Sequence, residues 1–156
     1  MLSNQDFSTM LACLYANNVD GFKKIITRDN ANYIIAASKS EGWTPLHFAA
    51  ECEHHNKACN DQFIEYLVCE CNVNINAKTS RKNSSLGFAV AHHGISNFAC
   101  VRLLLRLGAD VHHTNVDGKS IMSRRLWYNY TVSTGDPIVR LLLEYGHKVP
   151  DEPQLL

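Results

Sequence analysis

Apolar residues recur along this chain at helical spacing, in short clusters separated by polar turns. Leu46, Ala49 and Ala50, for example, follow the i, i+3, i+4 pattern that places side chains on one face of a helix. Clusters of this kind predict helices over roughly 7–17, 20–27, 45–52, 61–70, 84–90, 101–107 and 137–145. The pattern therefore predicts an all-α chain built from pairs of short helices.

The apolar positions also repeat at long range. Leu67, Leu104 and Leu142 fall at equivalent places in the second helices of successive pairs, at spacings of 37 and 38 residues. The first helices show the same recurrence at Leu46, Leu86 and Met122. Since a repeated helix pair buries its apolar face against its neighbours, we expect these positions to form one continuous core.

The turn that opens the helix at Pro45 carries the most informative motif. Gly42 suits a backbone position with positive φ, Thr44 is a good N-cap, and Pro45 fits the first helical position. The full run, Gly-Trp-Thr-Pro-Leu-His-Phe-Ala-Ala over 42–50, resembles the ankyrin repeat, whose signature is Gly-x-Thr-Pro-Leu-His-x-Ala-Ala. This resemblance implies an all-α ankyrin-repeat solenoid, in which helix-turn-helix units stack and are joined by hairpin-like loops.

On this basis we predict a single domain over 1–150, followed by a tail over 151–156. Its four units cover about 5–37, 38–77, 78–113 and 114–149. The first unit lacks the motif, and the fourth carries Arg125 at a position where the family has a small alanine. In the third unit Ser84 keeps the N-cap, whereas Gly87 replaces the motif histidine. We expect the two end units to be the least regular.

The resemblance implies a non-enzymatic module that binds a protein partner through its concave face and hairpin tips. An inhibitor, an adaptor and a host-directed effector are all compatible, and the long loops between helices favour the last. Carried over position by position, the candidate partner-binding residues are Ser40, Glu41, Trp43, Glu51, Arg81, Asn83, Asp117, Lys119, Trp127 and Tyr128. Large aromatic residues are enriched among interface hot spots, so Trp43, Trp127 and Tyr128 weigh most. The alternatives are that Trp43 is buried and that Trp127 packs under the loop over 129–135.

Composition restricts the partners and the compartment. Lys plus Arg and Asp plus Glu number 15 each, so nothing favours nucleic acid or an anionic membrane. No apolar run approaches a membrane span, and the first residues lack the features of a signal peptide. We therefore expect a monomer with no cofactor, its six cysteines reduced, in the cytoplasm or another reducing intracellular compartment. Export into a host cell by a route that needs no signal is left open.

One stretch suggests different chemistry. Cys52, His54, His55 and Cys59 place four soft ligands within eight residues, which could hold zinc or support thiol catalysis. The spacing matches no common zinc motif, and no orienting group is recognisable, so a polar loop with incidental thiols is favoured and no metal site is predicted. The doublets His92-His93 and His112-His113 are interpreted as solvated loop histidines.

Overall fold

The computed structural model describes residues 2–35, 42–51, 61–91, 97–123 and 135–147. Within these ranges the chain forms helices and turns, with two isolated antiparallel bridges and no β-strand. The helices are α1 (Asn4–Ala16), α2 (Val19–Ile25), α3 (Pro45–Ala50), α4 (Asp61–Glu65), a π-helical segment (Tyr66–Glu70), α5 (Ser85–Ala91), α6 (Phe98–Arg106) and α7 (Pro137–Glu144). Residues 121–123 are also helical. The predicted all-α architecture is confirmed.

Helix α1 begins earlier than its apolar pattern indicates. The hydroxyl of Ser3 accepts a hydrogen bond from the amide of Asp6 at 3.1 Å, and the Asp6 carboxylate accepts one from the amide of Ser3 at 3.1 Å. This reciprocal pair is a capping box, so Ser3 is the N-cap and the helix begins at Asn4, three residues before the predicted start. The hydrogen bonds from Ser3 also hold the pKa of Asp6 below its usual range. At the other end, Asn17 adopts the left-handed conformation with φ 53° and ends the helix one residue before the predicted end.

The second helix of the second unit changes its winding halfway. We expected one α-helix over 61–70, but the chain turns from α4 into the wider π-helical segment at Tyr66. Its last bond runs from the amide of Cys71 to the carbonyl of Tyr66 at 3.0 Å. Asn72 then takes the left-handed conformation with φ 55°, which ends the segment. The phenol of Tyr66 donates to the carbonyl of Ile26 at 2.8 Å, which ties this segment to the preceding unit.

The helices stack in two layers around one core. The first helices of the units form one layer, in which α3 packs on α5, and the second helices form the other layer in the order α2, α4, α6 and α7. The two predicted series of equivalent positions lie in the core: Leu46, Leu67, Leu86, Leu104, Met122 and Leu142 are all buried. The expectation that these positions form one continuous core is confirmed.

Three hairpins connect successive units, and each is closed by one backbone hydrogen bond. The bonds run from Ile35 N to Trp43 O at 2.8 Å, from Thr79 N to Asn83 O at 3.0 Å, and from Asn115 N to Lys119 O at 3.1 Å. The first hairpin is four residues longer than the other two, and its tip over 36–41 lies outside the described residues. We call these three segments the hairpin row.

Neighbouring hairpins of the row are in direct contact. The amide of Val116 in the third hairpin donates to the carbonyl of Arg81 in the second at 3.1 Å. At the other junction Gly42 has φ 80°, and a Cβ added to it would lie 3.3 Å from the backbone nitrogen of Ser80. The hairpins therefore lie side by side along one edge of the stack, and Gly42 is the point where the first approaches the second.

A substitution at Gly42 tests this contact. Gly42→Ala is expected to lower the free energy of unfolding by about 1 to 2 kcal/mol, because an L-residue is strained at positive φ. The added methyl group also crowds Ser80, so the loss should exceed that of Gly108→Ala, whose φ is 94° with nothing within 4 Å of the new atom. Urea unfolding of the two variants measures the difference. Equal losses would show that the two hairpins are not in close contact.

Candidate interaction surface

His47 joins the start of helix α3 to the following hairpin. Its Nδ1 accepts from the amide of Thr44 at 3.0 Å, and its Nε2 lies 3.1 Å from the carbonyl of Ala77. An amide nitrogen can only donate and a carbonyl can only accept, so these partners fix the neutral tautomer with its proton on Nε2. Burial lowers the pKa of His47 to about 4. This residue therefore fixes the second hairpin against the helix beside it.

Trp43 lies at the base of the first hairpin, where it is half-buried. Its ring centroid is 4.3 Å from that of Phe88 on α5 and 4.9 Å from that of Phe48 on α3. Phe48 in turn lies 5.2 Å from Phe7 on α1. These four rings, which we call the aromatic ladder, run across three successive units. Phe7, Phe48 and Trp43 keep part of their surface accessible, whereas Phe88 is buried.

The other described candidate residues divide by exposure. Arg81 and Asp117 are exposed on the second and third hairpins, whereas Asn83 and Lys119 are half-buried at the hairpin bases, in the position that Trp43 takes in the first. Glu51 is half-buried at the end of α3, which is shorter than the predicted range of 45–52. The structure thus brings Trp43 and the described hairpin residues to one edge of the stack, whereas Glu51 lies at the opposite end of α3.

Some candidates fall outside the described residues. These are Ser40 and Glu41 in the first hairpin, Trp127 and Tyr128 in the fourth unit, the histidine doublet 92–93 and the cysteine- and histidine-rich loop over 52–59. Among the described residues, no group of three or more histidine, cysteine or acidic side chains could hold a metal ion. None of the helices in that part of the chain is long and apolar enough to cross a membrane.

The expectation that His112 and His113 would both be solvated is wrong for His113. His112 is exposed, but His113 is buried and its Nε2 faces the carbonyl of Lys82 at the tip of the second hairpin. Lys82 has φ 56°, so the carbonyl that His113 contacts belongs to a residue in the left-handed conformation.

Sequence reasoning also missed a set of polar ties between units. The side-chain oxygen of Asn32 accepts from the amide of Asn74 at 3.0 Å, and that of Asn76 accepts from the amide of Asp110 at 2.8 Å. At the next junction the ring of His112 stacks on that of His147 at a centroid distance of 6.4 Å. The signal lay in the recurrence of a polar residue at these equivalent positions.

Comparison with known families agrees with this architecture. A family model described as ankyrin repeats (3 copies) matches residues 9–115, which is more than two thirds of the chain. The match includes the first two hairpins and reaches the start of the third. It ends before α7, so the fourth unit over 114–149 and the other unit boundaries stay predictions.

Proposed function

The chain belongs to the ankyrin-repeat family, and from that premise we propose that it is a non-enzymatic module whose hairpin row and aromatic ladder bind a protein partner. Ankyrin repeats generally mediate protein–protein interaction. The observation that carries the proposal for this chain is the contact between neighbouring hairpins, through Val116 and Arg81 and at Gly42, beside the half-exposed ring of Trp43. A surface of this kind offers apolar area in the middle and polar groups around it, which is the usual anatomy of an interface.

The energetic centre of this surface is assigned to Trp43. An aromatic ring supplies a large apolar area and loses little conformational entropy when it is covered. Its contacts with Phe48 and Phe88 already hold the ring in place, so a partner would meet an ordered side chain. Arg81, Asp117 and Lys119 add charges of both signs around it.

Trp43→Ala is expected to weaken binding of a captured partner by at least about 1 kcal/mol, the usual threshold for a significant contact. The partner is isolated by affinity capture with the wild-type protein, purified, and titrated against each variant by calorimetry. Because the Trp43 ring packs on Phe88, the titration is run at a temperature where circular dichroism shows both proteins folded.

Two further variants make this test specific. Arg81→Ala changes an exposed hairpin side chain and should also weaken binding, whereas Lys24→Ala on the exposed face of α2 should bind normally. Normal binding by both Trp43→Ala and Arg81→Ala would show that the partner uses another surface. The identity of the captured partner also decides between an inhibitor, an adaptor and a host-directed effector.

We further propose that the protein acts as a monomer in a reducing intracellular compartment. The four described cysteines, Cys13, Cys69, Cys71 and Cys100, are all free thiols. Three of them are buried in the core, where a thiol behaves as a small apolar group. Light scattering of the purified protein under reducing conditions measures its association state, and a dimer would contradict this part of the proposal.

A further inference from the structure

The second hairpin differs in charge from the rest of the row. Lys78, Arg81 and Lys82 are all exposed on it, and residues 78–84 include no acidic side chain. In the third hairpin the opposite charges of Asp117 and Lys119 cancel. In the first, residues 36–41 include one lysine and one glutamate, whose charges also cancel. The whole chain has equal numbers of basic and acidic residues, so this positive charge is a local feature in the middle of the row.

The tip of this hairpin is also fixed in shape. Several hydrogen bonds to its backbone define this shape. Lys82 N donates to Thr79 O at 2.8 Å, Asn83 N donates to the hydroxyl of Thr79 at 3.2 Å, and the His113 ring contacts the Lys82 carbonyl. The amide of Val116 holds the Arg81 carbonyl from the other side. A charged tip that is already ordered loses less entropy when a partner binds.

The charged tip borders the aromatic ladder. Gly42, which precedes Trp43, lies against the backbone of Ser80 in the second hairpin. The half-exposed Trp43 ring, which contacts Phe48, therefore lies next to a hairpin with three basic side chains, Arg81 and Lys82 at its tip and Lys78 at its base. A ligand that covers the rings meets these charges at its edge.

From this juxtaposition we propose that the partner presents an acidic protein segment with large apolar side chains. The apolar side chains cover Trp43 and Phe48, and carboxylates on the same segment face Lys78 and Lys82. This inference rests on the proposed function and adds the chemistry of the partner. A protein segment fits better than a phosphate backbone, because the basic charge is confined to one hairpin and Asp117 on the next hairpin would repel a continuous line of phosphates.

A selection from a random-peptide phage library against the wild-type protein tests the proposal without a known partner. The enriched peptides should carry net negative charge together with leucine, isoleucine or aromatic residues. Synthetic copies of the most enriched peptides are then titrated by fluorescence anisotropy. Their affinity should fall as NaCl is raised from about 0.05 to 0.5 M, since salt screens exposed charges.

Charge reversal tests whether the basic side chains of the second hairpin bind the acidic peptides. Lys78→Glu/Lys82→Glu should weaken the selected peptides at least about tenfold. The matched control, Lys24→Glu/Arg106→Glu, makes the same change in net charge on exposed positions of α2 and α6, and it should stay within about twofold of wild type. Lys78→Gln/Lys82→Gln removes the charge without reversing it and should give an intermediate loss.

The outcomes separate this inference from the proposed function. One outcome is that the selected peptides lack an acidic bias and bind Lys78→Glu/Lys82→Glu normally but not Trp43→Ala. That result would contradict the proposed partner chemistry and still support the binding surface. Peptides that neither variant weakens, or a failure to enrich any peptide, would count against both. Tighter binding of oligo-dT or of phosphatidylserine vesicles than of any selected peptide would replace the acidic protein segment with a polyanion.

Discussion

Leu104→Ala is expected to lower the free energy of unfolding by about 2 to 5 kcal/mol, the range for truncation of a buried leucine. Leu104 is fully buried on α6, the helix that packs on α4, α5 and α7. The truncation removes apolar contacts and leaves a cavity between neighbouring units. Each unit packs only on its neighbours, so no other part of the chain can fill that cavity. Urea unfolding followed by circular dichroism measures the loss.

Leu103 on the same helix supplies the control for this variant. Its side chain is half-buried beside a surface groove of about 320 Å³ that Glu65 and Arg106 also line. Leu103→Ala deletes the same atoms, but water already reaches part of the site, so the loss should be clearly smaller. An unfolding curve of Leu104→Ala that coincides with that of wild type would show that Leu104 is not a core residue.

The free energy of unfolding should also fall by about 3 kcal/mol as the pH is lowered from 6.5 to 4, because of His47 alone. The histidine titrates near its ordinary value of 6.5 in the unfolded chain, whereas in the folded protein its pKa is about 4. Below pH 6.5 the unfolded chain therefore binds a proton that the folded protein does not. The stabilisation is complete above pH 6.5 and is lost as the pH falls towards 4.

The physical cause of this loss lies in the two partners of the imidazole ring. Burial disfavours the charged ring. A proton on Nδ1 would also remove the acceptor of the Thr44 amide and place two protons against each other. Because carboxylates also titrate at low pH, the contribution of His47 is isolated as the difference in pH dependence between wild type and His47→Gln. An NMR titration of the His47 ring with a midpoint near 6.5 would contradict this account.

The repeat architecture could be predicted because its signals are local and recur. The turn that opens α3 combines Gly42, Thr44 and Pro45, each of which suits one backbone position, and the leucine series gives the register of the stack. Asn72 and Gly108 end their helices in the left-handed conformation, as their residue types indicate. In each case the side chain and its nearest neighbours along the chain decide the conformation.

Other features depend on contacts that one sequence does not show. The change to π-helical winding at Tyr66 has no residue signature, because glutamate, tyrosine and leucine all fit an α-helix. The burial of His113 depends on a carbonyl in the preceding hairpin. The position of Trp43, half-buried between Phe48 and Phe88, depends on the distance between two helices.

The polar ties between units bear on how many units such a chain can contain. Asn32 binds the backbone of Asn74, and Asn76 binds that of Asp110, so each tie joins one unit only to the next. A duplicated interior unit would carry a donor for the unit before it and an acceptor for the unit after it. Tandem duplication of such a unit would therefore keep the hydrogen bond at each junction, so these contacts place no limit on the number of units in the array.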